Sequence, residues 1–420
     1  MIVGITGSGG KTSLIFLLAE ELSKIGKVLI TTTTKIFEPN VNQYENFMLT
    51  DSNKILKGNN LNIDIIGLKI EKGKLLSPDE NDILKLKSEY DYILYEGDGS
   101  KQKMMKFWNE NEPCIMKGTS IIIGVGNIKI IGKDFNEENV HRYDMYINNN
   151  NDKKSEIENL KKTENKIKID DKILTCYLKN GKFFGNSFDG KKIIFLNGVE
   201  EKNEIIRCLK YYSRIDNFTF GSIIEKKLYI PKKISAVIMC SGEGKRFGKN
   251  KLLEKIDGVP MVEILFKKMK NFPFDKVYAV YKDDEILDII NKYDIIPLKN
   301  DKYFLGQSES IKKGVENIKN GAMMFFTGDM PFLKENTVME IIAGFYESGE
   351  ITVPRINNHN SSPVIFLERY RDELLNLNGD TGGRSIIKKS KCVKYIDFSD
   401  EKEFMDIDTK EDLNILEGGK

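Results

Sequence analysis

Short apolar runs, each stopped by a glycine-rich or acidic turn, recur along this chain. MIVGIT at 1–6 predicts a buried strand. GSGGKT at 7–12 follows, and SLIFLLAEEL at 13–22 has helical spacing. KVLI at 27–30 predicts a strand that runs into Thr31, Thr32, Thr33, Thr34 and Lys35. DYILYE at 91–96 predicts another, continued by Gly97, Asp98 and Gly99, and KIIFLN at 192–197 a further one. The theme returns at 236–239, where AVIM breaks at Ser241, Gly242, Glu243 and Gly244. Residues 276–282 predict a strand, and AMMFFT at 322–327 stops at Gly328 and Asp329. Val259, Pro260, Met261 and Val262 predict a helix start with proline in its first turn. GQSES at 306–310 precedes a predicted helix over 311–318. Strands alternating with helices argue for an α/β architecture.

Two stretches interrupt this rhythm. Residues 148–168 are polar and rich in Lys and Asn, and predict a solvated loop plus an exposed helix. EKKLYIPKK at 225–233 is charged and carries Pro231, which predicts a boundary between domains 1–228 and 229–420. The two halves share the strand, glycine loop and helix theme without an internal repeat.

Composition narrows the classes. A chain of 420 residues has room for two or three domains. Lys+Arg is 65 against Asp+Glu 63, a net charge of +2, which argues against nucleic acid or an acidic membrane as partner. The five cysteines are scattered with no C-x-x-C pair, and predict buried, reduced thiols of a cytoplasmic protein. Two histidines argue against a His-based metal centre. The opening residues read as strand and glycine loop and not as a signal peptide. No apolar run reaches the length of a membrane span.

Candidate chemistry falls at three turns. In the first, Gly7, Gly9, Gly10 and the helix N-terminus offer amides to phosphates, Lys11 reaches the outer ones, and Thr12 can ligate Mg²⁺. The strict phosphate-loop pattern wants glycine where Ile5 stands. Glu96 and Asp98 have the type and position to hold Mg²⁺ or its water, or they are solvated turn carboxylates. The four threonines either suit a pleated edge or line a ligand site at the sheet's carboxyl end. In the second turn, Ser241, Gly242 and Gly244 let amides approach an anion, and Lys245, Arg246 and Lys251 supply charge for a polyphosphate. In the third, Asp329 ends a strand opposite that turn, where it can ligate Mg²⁺. Ser308 and Ser310 are nucleotide contacts or helix N-caps. Arg384 binds a substrate phosphate or a carboxylate of the protein itself.

The string G-x-G-x-R-F-G-x-x-K-L-L at 242–253 resembles the molybdenum cofactor nucleotidyltransferases, and most of all molybdenum cofactor cytidylyltransferase. The resemblance runs from about residue 234 onward. It implies a Rossmann-like (GT-A-like) domain that joins CMP from CTP to molybdopterin and releases pyrophosphate, with Arg246, Lys251 and Asp329 as catalytic residues. G-D-M-P at 328–331 matches the family's metal aspartate, and G-x-S-x-S at 306–310 lies beside the nucleotide there. DIDTKEDL at 406–413 is similar to a family string that has proline where this chain has Lys410. It implies Asp406 as second metal ligand, with Asp408 as the alternative or a helix cap. G-D-T-G-G-R at 379–384 resembles a string on the pterin side, whereas Asn360, Ser361, Ser362 and Pro363 depart from the family's Gly-His-Pro-like string. Ser241 and Gly242 stand where guanine-selective relatives tend to carry two glycines, so a pyrimidine is expected.

The first half resembles the YqeC-like accessory proteins of selenium-dependent hydroxylases, through G-S-G-G-K-T-S, T-T-T-T-K, E-G-D-G-S-K and V-H-R-Y (140–143), from residue 1 to about 222. Its loop string is also similar to that of the Mur ligases. The resemblance implies a P-loop NTPase-like domain that binds ATP or GTP and helps mature a client molybdenum hydroxylase; His141 and Arg142 belong to a family string. The expected partners are CTP, Mo-molybdopterin, Mg²⁺ and that client. Another cytidylyl-, guanylyl- or sugar-nucleotidyltransferase, or a non-catalytic nucleotide-gated cofactor scaffold, stays open.

Overall fold

The computed structural model describes residues 1–60, 62–145, 167–212, 214–242, 250–405 and 407. It forms two compact units, Met1–Glu204 with Arg214–Ile230, and Ile205–Ser213 with Pro231–Lys420. Both are α/β. The solvated stretch expected over 148–168 lies almost wholly outside the described residues.

The first unit is built on a ten-stranded sheet. Its centre runs Ile121–Asn127, Ile2–Gly7, Tyr92–Glu96, Val28–Thr32, all parallel. Parallel strands are covered on both faces, so their apolar runs are continuous. Val3, Ile5, Val28, Ile30 and Leu94 pack with Leu14 and Ile15 of the helix Lys11–Leu22. Ile2, Leu29, Ile93 and Tyr95 pack with Ile83 of the helix Glu80–Lys85 on the other face. The register sets Ile5 beside Glu96 and Thr32 beside Glu96, so three carboxyl ends converge. The charged stretch 225–233, expected only as a boundary, contributes the edge strand Lys227–Tyr229, antiparallel to Phe218–Ser222.

In the second unit Ile234–Cys240 lies between Lys276–Tyr281 and Ala322–Thr327, parallel to both. Val364–Phe366 then pairs antiparallel with Ala322–Thr327. Two expectations about helices shift. Pro260 caps the helix Met261–Met269, and Val259–Pro260 pairs as a short strand with Lys255–Ile256. The helix expected over 311–318 starts four residues earlier, as Gln307–Asn317. Gly306 explains the early start: its φ is +105°, and a Cβ there would lie 2.5 Å from the Gly379 backbone. Residues Glu401–Phe404 form a 3-10 turn; Asp406 and Asp408 lie outside the described residues.

All five cysteines are free, but the expectation that they are buried holds for only Cys208 and Cys240. Cys114, Cys176 and Cys392 are exposed, Cys176 on the outward face of the helix Asp171–Asn180. Among the described residues no helix is long and apolar enough to cross a membrane.

Candidate functional site

Each unit gathers polar groups at the carboxyl end of its sheet. In the first, the loop after Ile2–Gly7 turns through three glycines with positive φ: Gly7 at 91°, Gly9 at 83° and Gly10 at 137°. A Cβ on Gly7 would sit 2.3 Å from the Val125 carbonyl oxygen, so a side chain there cannot be accommodated. The loop is clamped from the neighbouring strands. Ser8 N donates to Val125 O at 2.9 Å, while the Asn127 and Asn197 amides both donate to Gly9 O, at 3.0 and 2.9 Å. The helix Lys11–Leu22 starts at Gly10 with no side-chain cap and no acid in its first turn. Such an end favours an anion.

Lys11 is buried. Its Nζ donates to Gly7 O at 2.7 Å and lies 3.5 Å from Glu96 Oε1 and 3.4 Å from Asp98 Oδ1. Thr12 Oγ1 donates to Glu96 Oε2 at 2.6 Å. Burial pushes the Glu96 carboxyl above its usual range, against the pull of Lys11 and Thr12. Glu96 and Asp98 therefore differ in kind. Asp98 is fully buried, and its two oxygens accept from Gly7 N at 3.0 Å each and from Trp108 Nε1 at 2.6 Å, with Lys106 Nζ at 3.1 Å. Lys106 passes the network on to Glu112 at 2.9 Å, and Arg142 grips Glu112 with both guanidinium nitrogens. The V-H-R-Y string thus joins the glycine loop through ion pairs. His141 is buried, which with nearby Arg142 holds its imidazole down to about 4, so it stays neutral. Of the threonines, Thr31 bonds Ile66 O inside the sheet, while Thr32 and Thr33 donate to the Glu96 carbonyl at 3.3 and 3.2 Å.

Sequence reasoning missed Trp108, Lys106, Glu112, Asn127 and Asn197. The one available signal was the chain's single tryptophan, ten residues after Asp98.

In the second unit Gly328 N bonds Met239 O at 3.1 Å, which carries Asp329 to the end of the central strand. Lys251 Nζ meets Asp329 Oδ2 at 2.7 Å. Among the described residues Asp329 Oδ1 is buried without a hydrogen-bond partner, as are Thr327 Oγ1 and Ser308 Oγ. Orphaned buried oxygens of this kind call for a cation, water or ligand. Ser241 is buried, and its hydroxyl lies 2.6 Å from that of Ser310; the Asn300 amide donates to both, at 3.1 and 3.3 Å. Gln307 N bonds Asp380 Oδ1 and Ser308 N bonds Gly379 O, which brings the G-x-S-x-S and G-D-T-G-G-R strings together. Arg384 is exposed at the start of the helix Arg384–Lys389. Gly242 is exposed; Gly244, Lys245 and Arg246 lie outside the described residues. Sequence reasoning missed Asn300.

A mainly parallel α/β sheet thus has an acid and a serine cluster at its carboxyl edge, with Lys251 paired to the acid, which is where such sheets bind ligands. Residues 236–393 match the family model of the MobA-like NTP transferase domain. Residues 3–144 match the family model of the YqeC protein. The two matches lie in series along the chain. The uncharacterized protein YqeC of Escherichia coli is 36% identical over 152 residues, which cover 34% of this chain and 59% of that protein. A probable molybdenum cofactor guanylyltransferase of Aquifex aeolicus is 29% identical over 125 residues, covering 29% of this chain and 59% of that protein. The matched stretches thus span about three-fifths of these relatives' lengths. A solved nucleotidyl transferase from Methanothermobacter thermautotroptrophicus is 18% identical, with a TM-score of 0.40, and the alignment covers 44% of this chain and 95% of that one.

Proposed function

We propose that the second domain, residues 229–420, transfers CMP from CTP to the terminal phosphate of Mo-molybdopterin and releases pyrophosphate. What supports this reading most is the Lys251–Asp329 pair at 2.7 Å beside an Asp329 oxygen left buried and unpartnered. That oxygen fits a divalent cation, and Asp329 would hold Mg²⁺. When bound, the cation neutralises charge on the triphosphate. An oxygen of the pterin phosphate attacks the α-phosphorus as the bond to pyrophosphate breaks. The attacking monoester is already an anion, so no general base is required. Lys251, with Lys245 and Arg246 of the glycine turn, balances the leaving pyrophosphate. Catalysis is then positioning and charge compensation.

The preference for CTP rests on Ser241. Its side chain, pinned by Ser310 and Asn300, takes room at the loop where a larger base would need it. The name of the Aquifex relative favours GTP as the second reading. Pyrophosphate release with each nucleotide, and the mass of the pterin product, separates the two. A CMP adduct supports the proposal, and a GMP adduct overturns the base assignment.

For the first domain, residues 1–228, we propose ATP or GTP binding at Gly7, Gly9, Gly10 and Lys11, in the manner of a P-loop. Thr12 and Glu96 are the oxygens that fit Mg²⁺ there, since Asp98 already accepts from Gly7 N and Trp108. Its role is to serve a selenium-dependent molybdenum hydroxylase as client. Equilibrium binding of ATP and GTP to wild type and Lys11→Ala tests the nucleotide claim, and an inert wild type sinks it.

A further inference from the structure

In both units a lysine occupies the carboxylate that a divalent cation would need. Lys11 Nζ stands 3.5 Å from Glu96 Oε1 with both side chains nearly sealed from solvent, at 3% and 7% exposure. Lys251 Nζ stands 2.7 Å from Asp329 Oδ2. An ammonium this close to a carboxylate weakens its hold on a divalent cation by like-charge repulsion, even where the cation takes the other oxygen. The surroundings decide how each carboxylate fares once its lysine leaves. Asp98 keeps Lys106, Gly7 N and Trp108 and remains compensated. Glu96 keeps the Thr12 hydroxyl alone; among the described residues Lys11 is the one cation within ion-pair distance of it. Asp329 is left with one oxygen that already lacks a partner. A buried carboxylate stripped of its cation is costly and draws in another. Lysine's flexible stem lets it move to an incoming phosphate.

We propose that Lys11 and Lys251 are tethered stand-ins for the divalent cation. Each holds its carboxylate while no nucleotide is bound and transfers to the phosphates on entry, so that metal and nucleotide enter together and metal alone binds weakly. This rests on the nucleotide sites proposed above. It carries an unusual sign: deleting the lysine strengthens binding of free metal while it weakens binding of nucleotide.

The test is Mn²⁺ titration of the full chain, read by the loss of the free-ion electron paramagnetic resonance signal, with and without CTP or ATP. Wild type should take up Mn²⁺ appreciably only with nucleotide. Lys251→Met and Lys11→Met should each gain a nucleotide-independent Mn²⁺ site, about tenfold tighter or more, and adding Asp329→Asn to Lys251→Met should abolish its gain. Lys251 is 18% exposed at its side chain, so its variant stays readable even if Lys11→Met destabilises the first unit. If wild type binds Mn²⁺ with nucleotide but neither lysine variant binds the free ion more tightly, the stand-in role is overturned and the nucleotide reading survives. If wild type takes up no Mn²⁺ in any state, both fall.

Discussion

The two glycine turns set a lysine against an acid in opposite surroundings. In the first unit the pair belongs to a closed network in which Lys11, Lys106 and Arg142 face Glu96, Asp98 and Glu112, three charges against three. Its centre is closed to solvent, with Lys106 and Asp98 fully buried. In the second unit the pair is 18% and 15% exposed, and among the described residues Asp329 Oδ1, Thr327 Oγ1 and Ser308 Oγ are buried without a partner. A balanced, buried network uses its polar groups to hold one loop shape. A half-open site with unspent oxygens is suited to a substrate that enters, reacts and leaves. The contrast explains why chemistry is assigned to the second domain and binding to the first.

The comparison breaks most sharply at Asp98. If it anchors the loop, Asp98→Ala should cost the first unit about 3–5 kcal/mol, because it takes the acceptor from the buried Gly7 N and Trp108 Nε1 and leaves Lys106 and Lys11 one carboxylate each. Chemical denaturation would show this, and an unchanged midpoint would mean that the network is ornamental. Next comes Lys11→Ala, which should weaken ATP or GTP binding by about 10- to 100-fold and leave pyrophosphate release by the second domain unchanged. Smaller again is Ser241→Gly. Freeing that space should move the CTP-to-GTP ratio of kcat/KM toward GTP by about tenfold or less. The finest probe is pH. Burial holds His141 neutral, with its folded value about 4 against an ordinary 6.5. Its contribution to stability is complete above pH 6.5 and declines as pH falls towards 4. His141→Gln should flatten that part of the stability profile.

Legibility in the sequence followed locality. Runs such as 1–6 and 322–327 announce strands because both faces are covered and nearly every position before the terminal threonine is apolar. The glycine loop, Glu96 and Asp329 stand at or just beyond strand ends, where α/β sheets bind ligands, and the registers that set Ile5 beside Glu96 in the first unit and Met239 beside Thr327 in the second fix those ends. What stayed hidden depends on distant partners. Gly7 meets Asp98 across 91 residues, and Gly9 meets Asn197 across 188. No local pattern encodes such pairings. The early start of the helix Gln307–Asn317 is set by Gly306 against the Gly379 backbone, again a tertiary fact. The edge strand Lys227–Tyr229 was masked by its charges, which edges favour.

The central claim is that Asp329 and Lys251 serve nucleotidyl transfer in the second domain. It is tested most directly by the rate of pyrophosphate release from CTP in the presence of Mo-molybdopterin, comparing wild type with Asp329→Ala. The account predicts a loss of about 10²–10³, with the fold intact by circular dichroism. Turnover by Asp329→Ala at the wild-type rate would contradict it.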